Sequence, residues 1–246
     1  MTMGKMIIDI EDSRSVQSFV AQVTEGWFNP EKVYFDLKAS GNTDSTDFWC
    51  GNPTHLLSDV SASLNQTAEE FLILWNQKCI THDAKIMGYH CTRHSDKKVF
   101  TEKGILPLSD ETIEIFQDGN LTVKAKRMWE YRSKKKPGPY FMLSYKWAKN
   151  PGNRFCVDGP EILLACAGDQ VNGDKSRSIP LIIHCAIPYA ILQEKDYFAF
   201  CILRSYFNFL DPKDDLTNLF EDYSIDLRGN ALDPQYVVMT EEYEAK

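Results

Sequence analysis

The sequence has no apolar stretch long enough to cross a membrane. A spanning helix needs about 20 consecutive apolar residues, whereas the longest mainly apolar segment covers 179–192 and is interrupted by Pro180, His184 and Pro188. Near the N-terminus the only apolar run, residues 6–8, is too short for a secretory signal. We therefore expect a cytoplasmic protein with no membrane partner.

The patterns of a disulfide framework and of a zinc site are also missing. The seven cysteines are an odd number, and no two of them form a Cys-x-x-Cys pair. Most of them lie in apolar runs, where a reduced thiol packs as a small hydrophobic group. This usage predicts free thiols in a reducing compartment and no metal site. The cysteines are Cys50, Cys79, Cys91, Cys156, Cys166, Cys185 and Cys201.

Several common catalytic signatures do not occur. The chain has no Gly-x-Gly-x-x-Gly, no phosphate-binding Gly-x-x-x-x-Gly-Lys loop and no Gly-x-Ser-x-Gly nucleophile turn. The spacing of His90 and His94 would put two imidazoles on one face of a helix, but their neighbours are typical of a strand. The sequence therefore argues against a dinucleotide-binding fold of the Rossmann type, a P-loop nucleotide hydrolase and a zinc hydrolase.

The amino-acid composition is typical of a globular protein. The 246 residues are 43% hydrophobic and 25% charged, and a chain of this length can bury a sizeable core. Thr67 and Glu70 form a capping box, which marks the start of a helix. Residues 1–84 are thus predicted to be a mainly helical segment. Its predicted elements are helices over 13–27, 53–64 and 67–78 and a strand over 33–37.

The pattern changes in residues 85–246, where apolar β-rich runs alternate with polar turns. This part is predicted to be a second domain of mixed structure, so the whole chain belongs to the α+β class. Its predicted strands cover 85–92, 140–145, 179–185 and the residues around 237–238, with a helical turn over 97–103 that ends at Gly104 and a helix over 161–167.

Two segments of this second part resemble a known family. Residues 89–93 read Tyr-His-Cys-Thr-Arg in a predicted strand, and residues 104–108 read Gly-Ile-Leu-Pro-Leu after the helical turn. This order resembles the entry to the ADP-ribosyltransferase fold, where a strand with His-Gly-Thr or His-Gly-Ser precedes a helix and Gly-Ile or Gly-Leu. Poly-ADP-ribose polymerases, diphtheria-type toxins and RNA 2′-phosphotransferases share this arrangement. Here Cys91 stands where the family has glycine.

The resemblance continues toward the C-terminus in short pieces. The predicted strand at 140–145 lies where the family has a tyrosine or serine that packs against nicotinamide, and Tyr140, Tyr145 and Ser144 all suit that role. Residues 230–237 resemble the closing strand of small transferases. From the residues alone, an aromatic strand in a core is an equally good interpretation of the tyrosines.

The acidic residue of a His-Tyr-Glu constellation is assigned to Glu161. It directly precedes an apolar run and follows the histidine and tyrosine candidates in the family's order. An exposed residue in the first turn of a helix is the alternative interpretation. Glu194 is a second, weaker candidate for the same role.

The resemblance implies an ADP-ribosyltransferase-like split β-sheet core with flanking helices in residues 85–246. It implies NAD as the substrate and no metal. In this interpretation His90 bonds the adenosine ribose, the Cys91 backbone holds the carboxamide, and Arg93 meets a phosphate. The implied catalytic residues are Glu161, His90 and Tyr140, and the implied cofactor-binding residues are His90, Cys91, Thr92, Arg93, Tyr140, Ser144 and Tyr145.

One basic segment stands out from an acidic chain. Residues 124–136 carry a charge of +6, while the whole protein has −8. Cations interleaved with aromatic rings suit single-stranded nucleic acid, although a solvated helix face gives the same pattern. The candidate nucleic-acid-binding residues are Lys124, Lys126, Arg127, Trp129, Arg132, Lys134, Lys135 and Lys136.

The predicted function is NAD-dependent transfer of ADP-ribose to a macromolecular acceptor, either nucleic acid (RNA or DNA) or protein. By analogy with small bacterial transferases, the protein would be a toxin of a toxin–antitoxin or phage-defence system, with an antitoxin or inhibitor protein as partner. Two alternatives stay open. One is a catalytically inactive NAD- or partner-binding module of the same fold, and the other is an RNA 2′-phosphotransferase-like enzyme.

Overall fold

The computed structural model describes residues 6–40, 53–109, 127, 129–131, 133, 134, 138–150, 156, 178–212 and 223–244. Within these residues the elements are, in chain order, β1 (Ile7–Ile8), α1 (Ser13–Thr24), α2 (Pro30–Ala39), α3 (Pro53–Ser63), α4 (Ala68–Thr81), β2 (Lys85–His94), α5 (Lys98–Lys103), β3 (Tyr140–Met142), α6 (Tyr145–Ala148), β4 (Ile179–Pro188), α7 (Lys195–Leu210), β5 (Ser224–Asp226) and β6 (Val237–Glu242). Short 3₁₀ helices cover Tyr189–Ile191 and Pro234–Tyr236. Among these helices none is long and apolar enough to span a bilayer.

The chain divides into two compact units. The first consists of Met1–Ile86 and Pro188–Leu219, and the second of Met87–Ile187 and Phe220–Lys246. The predicted division after residue 84 lies close to the first boundary. The prediction assigned residues 188–219 to the C-terminal domain. In the structure, α7 packs against α1 to α4, so these residues belong to the first unit.

Local signals account for the helices of the first unit. The Asp12 side chain accepts a hydrogen bond from the Arg14 backbone N–H at 3.1 Å and so begins α1. Thr67 and Glu70 form the predicted capping box at the start of α4. The three predicted helices are confirmed as α1, α3 and α4. They pack with α7, which is buried over most of its length, around a core that includes Phe19, Val20, Leu56, Phe71, Trp75 and Phe198.

The strand predicted over 33–37 was wrong, because these residues belong to α2. Asn29 caps this helix through a hydrogen bond from Lys32 N at 3.0 Å, and Pro30 occupies its first turn. The apolar residues Val33 and Leu37 are four apart, so they fit one face of a helix as well as one face of a strand. Packing of that face into the helical core selected the helix.

The second unit is built on a sheet in the order β5-β3-β2-β4-β6. β3 pairs antiparallel with both β2 and β5, with Tyr89 opposite Met142, and β4 pairs antiparallel with β6. The strands predicted at 85–92, 179–185 and 237–238 are confirmed, as is the α+β class. The strand predicted over 140–145 ends early at Met142, because the Ser144 side chain accepts from Trp147 N at 2.9 Å and begins α6.

The predicted end of α5 at Gly104 is also confirmed. Gly104 has a φ of 76°, a left-handed conformation that suits glycine. The next residue, Ile105, forms a two-hydrogen-bond bridge with Leu232, with N···O distances of 2.8 and 2.9 Å. This bridge places the segment after α5 directly against the chain that leads into β6.

Candidate functional site

His90 lies on β2, the central strand of the second unit. Its Nδ1 is 2.8 Å from the carbonyl oxygen of Tyr140, and its ring centroid is 5.6 Å from that of Phe141. Because a carbonyl only accepts, Nδ1 carries the proton and Nε2 presents a lone pair. The residue is partly exposed. Loss of hydration nevertheless lowers the pKa of His90, an effect that the bond to Tyr140 opposes.

Cys91 points to the other face of the sheet. Its Sγ is 3.8 Å from the carbonyl oxygen of Ala148, and it belongs to a buried cluster with Tyr89, Met142 and Cys156. The hydrogen bond with Cys156 and burial both raise the pKa of the Cys91 thiol. The side chain is therefore an unreactive core group, and only the Cys91 backbone is a candidate for contact with a ligand.

Arg93 lies near the end of β2 and is held there by Ser178. Its Nε donates to the Ser178 hydroxyl at 3.1 Å, and its Nη2 donates to the Ser178 carbonyl at 2.5 Å. The guanidinium is thus anchored but only partly buried. Between His90 and Arg93, Thr92 is buried with 7% exposure.

The three candidates from the next segment are not equivalent. Tyr140 is 47% exposed, but strand alternation places it opposite to Phe141, so His90 meets its backbone and not its ring. Ser144 is fully buried as the cap of α6. Tyr145 donates its hydroxyl to Glu241 at 2.6 Å, on the Cys91 face of the sheet.

Six of the remaining predicted site residues lie outside the described residues. They are Glu161, Lys124, Lys126, Arg132, Lys135 and Lys136. Glu194 is exposed and directly precedes α7 in the first unit. Of the basic segment, Arg127 and Lys134 are exposed, whereas Trp129 is only 8% exposed. Burial of Trp129 argues against base stacking on its ring, but Tyr131 is 61% exposed.

Sequence reasoning missed a polar cluster around Glu241 on β6. Its Oε2 accepts from the Tyr145 hydroxyl and from His184 Nε2 at 3.1 Å, and its Oε1 accepts from Lys149 Nζ at 2.7 Å. Lys149 also donates to the Tyr145 hydroxyl at 3.0 Å. Tyr145 and Lys149 are four residues apart around α6, which is the only local sign of this cluster. We call these four residues the Glu241 cluster.

The electrostatics of the Glu241 cluster favour the ionised carboxylate. Burial by itself raises the pKa of Glu241, but hydrogen bonds from Lys149, Tyr145 and His184 outweigh it and lower the pKa to about 2. Burial and the bond to Glu241 raise the pKa of Tyr145, and the bonds to Glu241 and Tyr145 raise that of Lys149. At neutral pH the cluster therefore contains a carboxylate, an ammonium and a neutral phenol.

This depressed pKa predicts a loss of stability in acid. The folded-state pKa of Glu241 lies below its usual value of 4.5, so its contribution is complete above that value and is lost as pH falls toward about 2. With allowance for partial exposure, the contribution is on the order of 2 kcal/mol. The difference in free energy of unfolding between wild type and Glu241→Gln should therefore shrink by more than half from about pH 6 to about pH 3. Urea unfolding at each pH measures it, and a constant difference would contradict the assignment.

Comparisons with known proteins bring no identification. No family model, no curated protein and no solved structure matches this chain. Within the described residues, no group of three or more His, Cys, Asp or Glu side chains is arranged to hold a metal ion.

Proposed function

We propose that this protein transfers ADP-ribose from NAD to a macromolecular acceptor and that its second unit has the ADP-ribosyltransferase-like split-sheet fold. One observation carries the proposal. The segments that resemble the family are scattered from residue 89 to residue 237 in the sequence, but two pairs of them contact each other through backbone hydrogen bonds. β2 with His90 pairs with β3 at Tyr140–Met142, and Ile105 bridges to Leu232 ahead of β6.

Transfer of ADP-ribose requires rigid binding of NAD more than it requires a reactive side chain. Breaking the bond between nicotinamide and ribose develops positive charge on the ribose, as in glycoside hydrolysis. A neutral His90, fixed by the Tyr140 carbonyl, keeps one ring nitrogen available for a ribose hydroxyl. Arg93, anchored by Ser178, keeps a cation near the end of the same strand for a phosphate. Glu161 is assigned the stabilisation of the developing cation.

Of the two tyrosines proposed for nicotinamide, Tyr140 has the more accessible ring, but alternation along β3 places it on the face of the sheet opposite to His90. The Tyr145 hydroxyl is bound to Glu241 and its ring packs 5.2 Å from Tyr89, so neither tyrosine ring lies on the His90 face. Stacking on nicotinamide needs an accessible aromatic face.

The proposed acceptor is nucleic acid. In the described part of the basic segment, the exposed residues Arg127, Tyr131 and Lys134 combine cations with an accessible ring. A protein acceptor is the alternative outcome of the experiment below. A toxin or phage-defence role with an antitoxin partner is part of the same proposal and follows from analogy alone.

The test is incubation of purified protein with NAD labelled on the adenylate, in separate reactions with total RNA, single-stranded DNA and cell extract. Label is expected in one acceptor fraction together with released nicotinamide, and His90→Ala should raise the KM for NAD about tenfold or more. His82→Ala, at the end of α4 in the first unit, is the matched control. Binding of NAD without release of nicotinamide would identify an inactive NAD-binding module instead. Release only in the presence of 2′-phosphorylated RNA would identify a phosphotransferase-like enzyme.

A further inference from the structure

The Glu241 cluster fixes the orientation of His184. An ionised carboxylate only accepts hydrogen bonds, so the proton shared between His184 and Glu241 belongs to Nε2 of the histidine. In the neutral ring, Nδ1 then carries the lone pair. Within the described residues Nδ1 has no hydrogen-bond partner. An imidazole oriented in this way by a carboxylate is the arrangement that makes histidine an effective base or nucleophile.

Two aromatic rings frame this imidazole. The Tyr89 ring meets His184 edge-on at a centroid distance of 5.1 Å, and the Tyr145 ring lies at the same distance with a tilt of 51°. The His184 side chain is 12% exposed, so its environment is mainly protein. Lys149 and Glu241 neutralise each other beside it. The surroundings therefore favour an uncharged ligand over a strongly charged one.

This histidine is separate from the proposed NAD site. Along β2, Tyr89 faces His184, whereas the next residue, His90, faces Phe141. Successive side chains of a strand point to opposite faces, so His90 and His184 lie on opposite faces of the sheet.

We propose that His184, oriented by Glu241, is a second reactive centre that attacks the carbonyl carbon of uncharged, activated acyl compounds such as aryl esters. Nδ1 forms the new C–N bond and the phenolate leaves with the electron pair of the broken C–O bond. Nε2 keeps its proton and its hydrogen bond to Glu241, so the intermediate is an acyl-imidazolium. Water then attacks its carbonyl carbon and the C–N bond breaks with its electron pair returning to Nδ1. This step releases the carboxylic acid and one proton to solvent and restores the neutral imidazole.

Reactivity with diethyl pyrocarbonate tests the first step without knowledge of the natural substrate. Peptide mapping by mass spectrometry gives a separate acylation rate for each of the five histidines. If access alone decides, the mostly buried His184 should react more slowly than the exposed His55. The proposal predicts that His184 reacts at least about tenfold faster than His55. A slower His184 would overturn it, and this comparison needs no variant.

The role of Glu241 is tested by Glu241→Gln, which keeps the size of the side chain but can donate as well as accept. The acylation rate of His184 should fall about tenfold, because the tautomer is no longer fixed. Glu242→Gln is the matched control, since this neighbouring exposed residue pairs with Lys97. Equal rates in the two variants would overturn the orienting role. Circular dichroism on both shows whether they are folded.

Hydrolysis of p-nitrophenyl acetate tests the complete cycle. Wild type should release nitrophenolate about tenfold faster than His184→Asn, with continued turnover after the first equivalent. Equal rates for the two proteins would overturn the proposal.

Discussion

Replacement of Gly104 by alanine should lower the free energy of unfolding by roughly 3–4 kcal/mol. Gly104 has a φ of 76°, where a side chain costs about 1–2 kcal/mol. The larger part of the effect is steric. A β-carbon at this position would be 2.0 Å from the carbonyl oxygen of Leu232 and 2.9 Å from the nitrogen of Pro234. Both are backbone atoms, so the bridge between Ile105 and Leu232 has to open.

Gly26→Ala is the matched control for this prediction. Gly26 also has a left-handed conformation, with a φ of 69°, but a β-carbon there would meet nothing within 4 Å. Its cost should stay at about 1–2 kcal/mol, the conformational part alone. Urea unfolding followed by circular dichroism measures both variants. Similar losses would mean that the contact between Gly104 and Leu232 is not close in solution.

Glu161→Gln should reduce the rate of ADP-ribose transfer by about 10²–10³, the usual effect of losing one preorganised electrostatic contact. The amide keeps the size of the side chain but removes the charge that would stabilise the ribose cation. Affinity for NAD should change little, because the loss is confined to the transition state. Nicotinamide release at saturating NAD measures the rate, and NAD binding by calorimetry measures the affinity.

Two further glutamates make this experiment decisive. Glu102→Gln, on the exposed side of α5, should leave transfer unchanged and controls for the loss of one charge. Glu194→Gln tests the second carboxylate candidate. A large loss in Glu194→Gln with near wild-type activity in Glu161→Gln would reassign the catalytic role to Glu194. Activity of all three variants at the wild-type level would remove the carboxylate from the proposed mechanism.

The strand that carries His90 was visible in the sequence because its pattern is local. The run of apolar and β-rich residues around His90 predicted β2, and the alternation of side chains along a strand accounts for His90 and Cys91 pointing to opposite faces. Both follow from the geometry of a single strand. The residues next to His90 in the sequence do not indicate which strand pairs with β2. The bond from His90 to the Tyr140 carbonyl joins residues that are 50 positions apart.

The sequence by itself determined the elements whose ends are fixed by short-range hydrogen bonds or by glycine. These helix ends involve only residues within one turn, so they form independently of the rest of the chain. They are the N-cap at Asp12, the capping box of Thr67 and Glu70, and the C-cap at Gly104. Tertiary packing decided the cases in which the local pattern fits two structures. It made 33–37 a helix and placed α7 with the first unit. It also assembled the Glu241 cluster from β4, β6 and the residues of and after α6. The hydrogen-bond donors of Glu241 are distant from it in the sequence, so the residues next to Glu241 do not indicate the cluster.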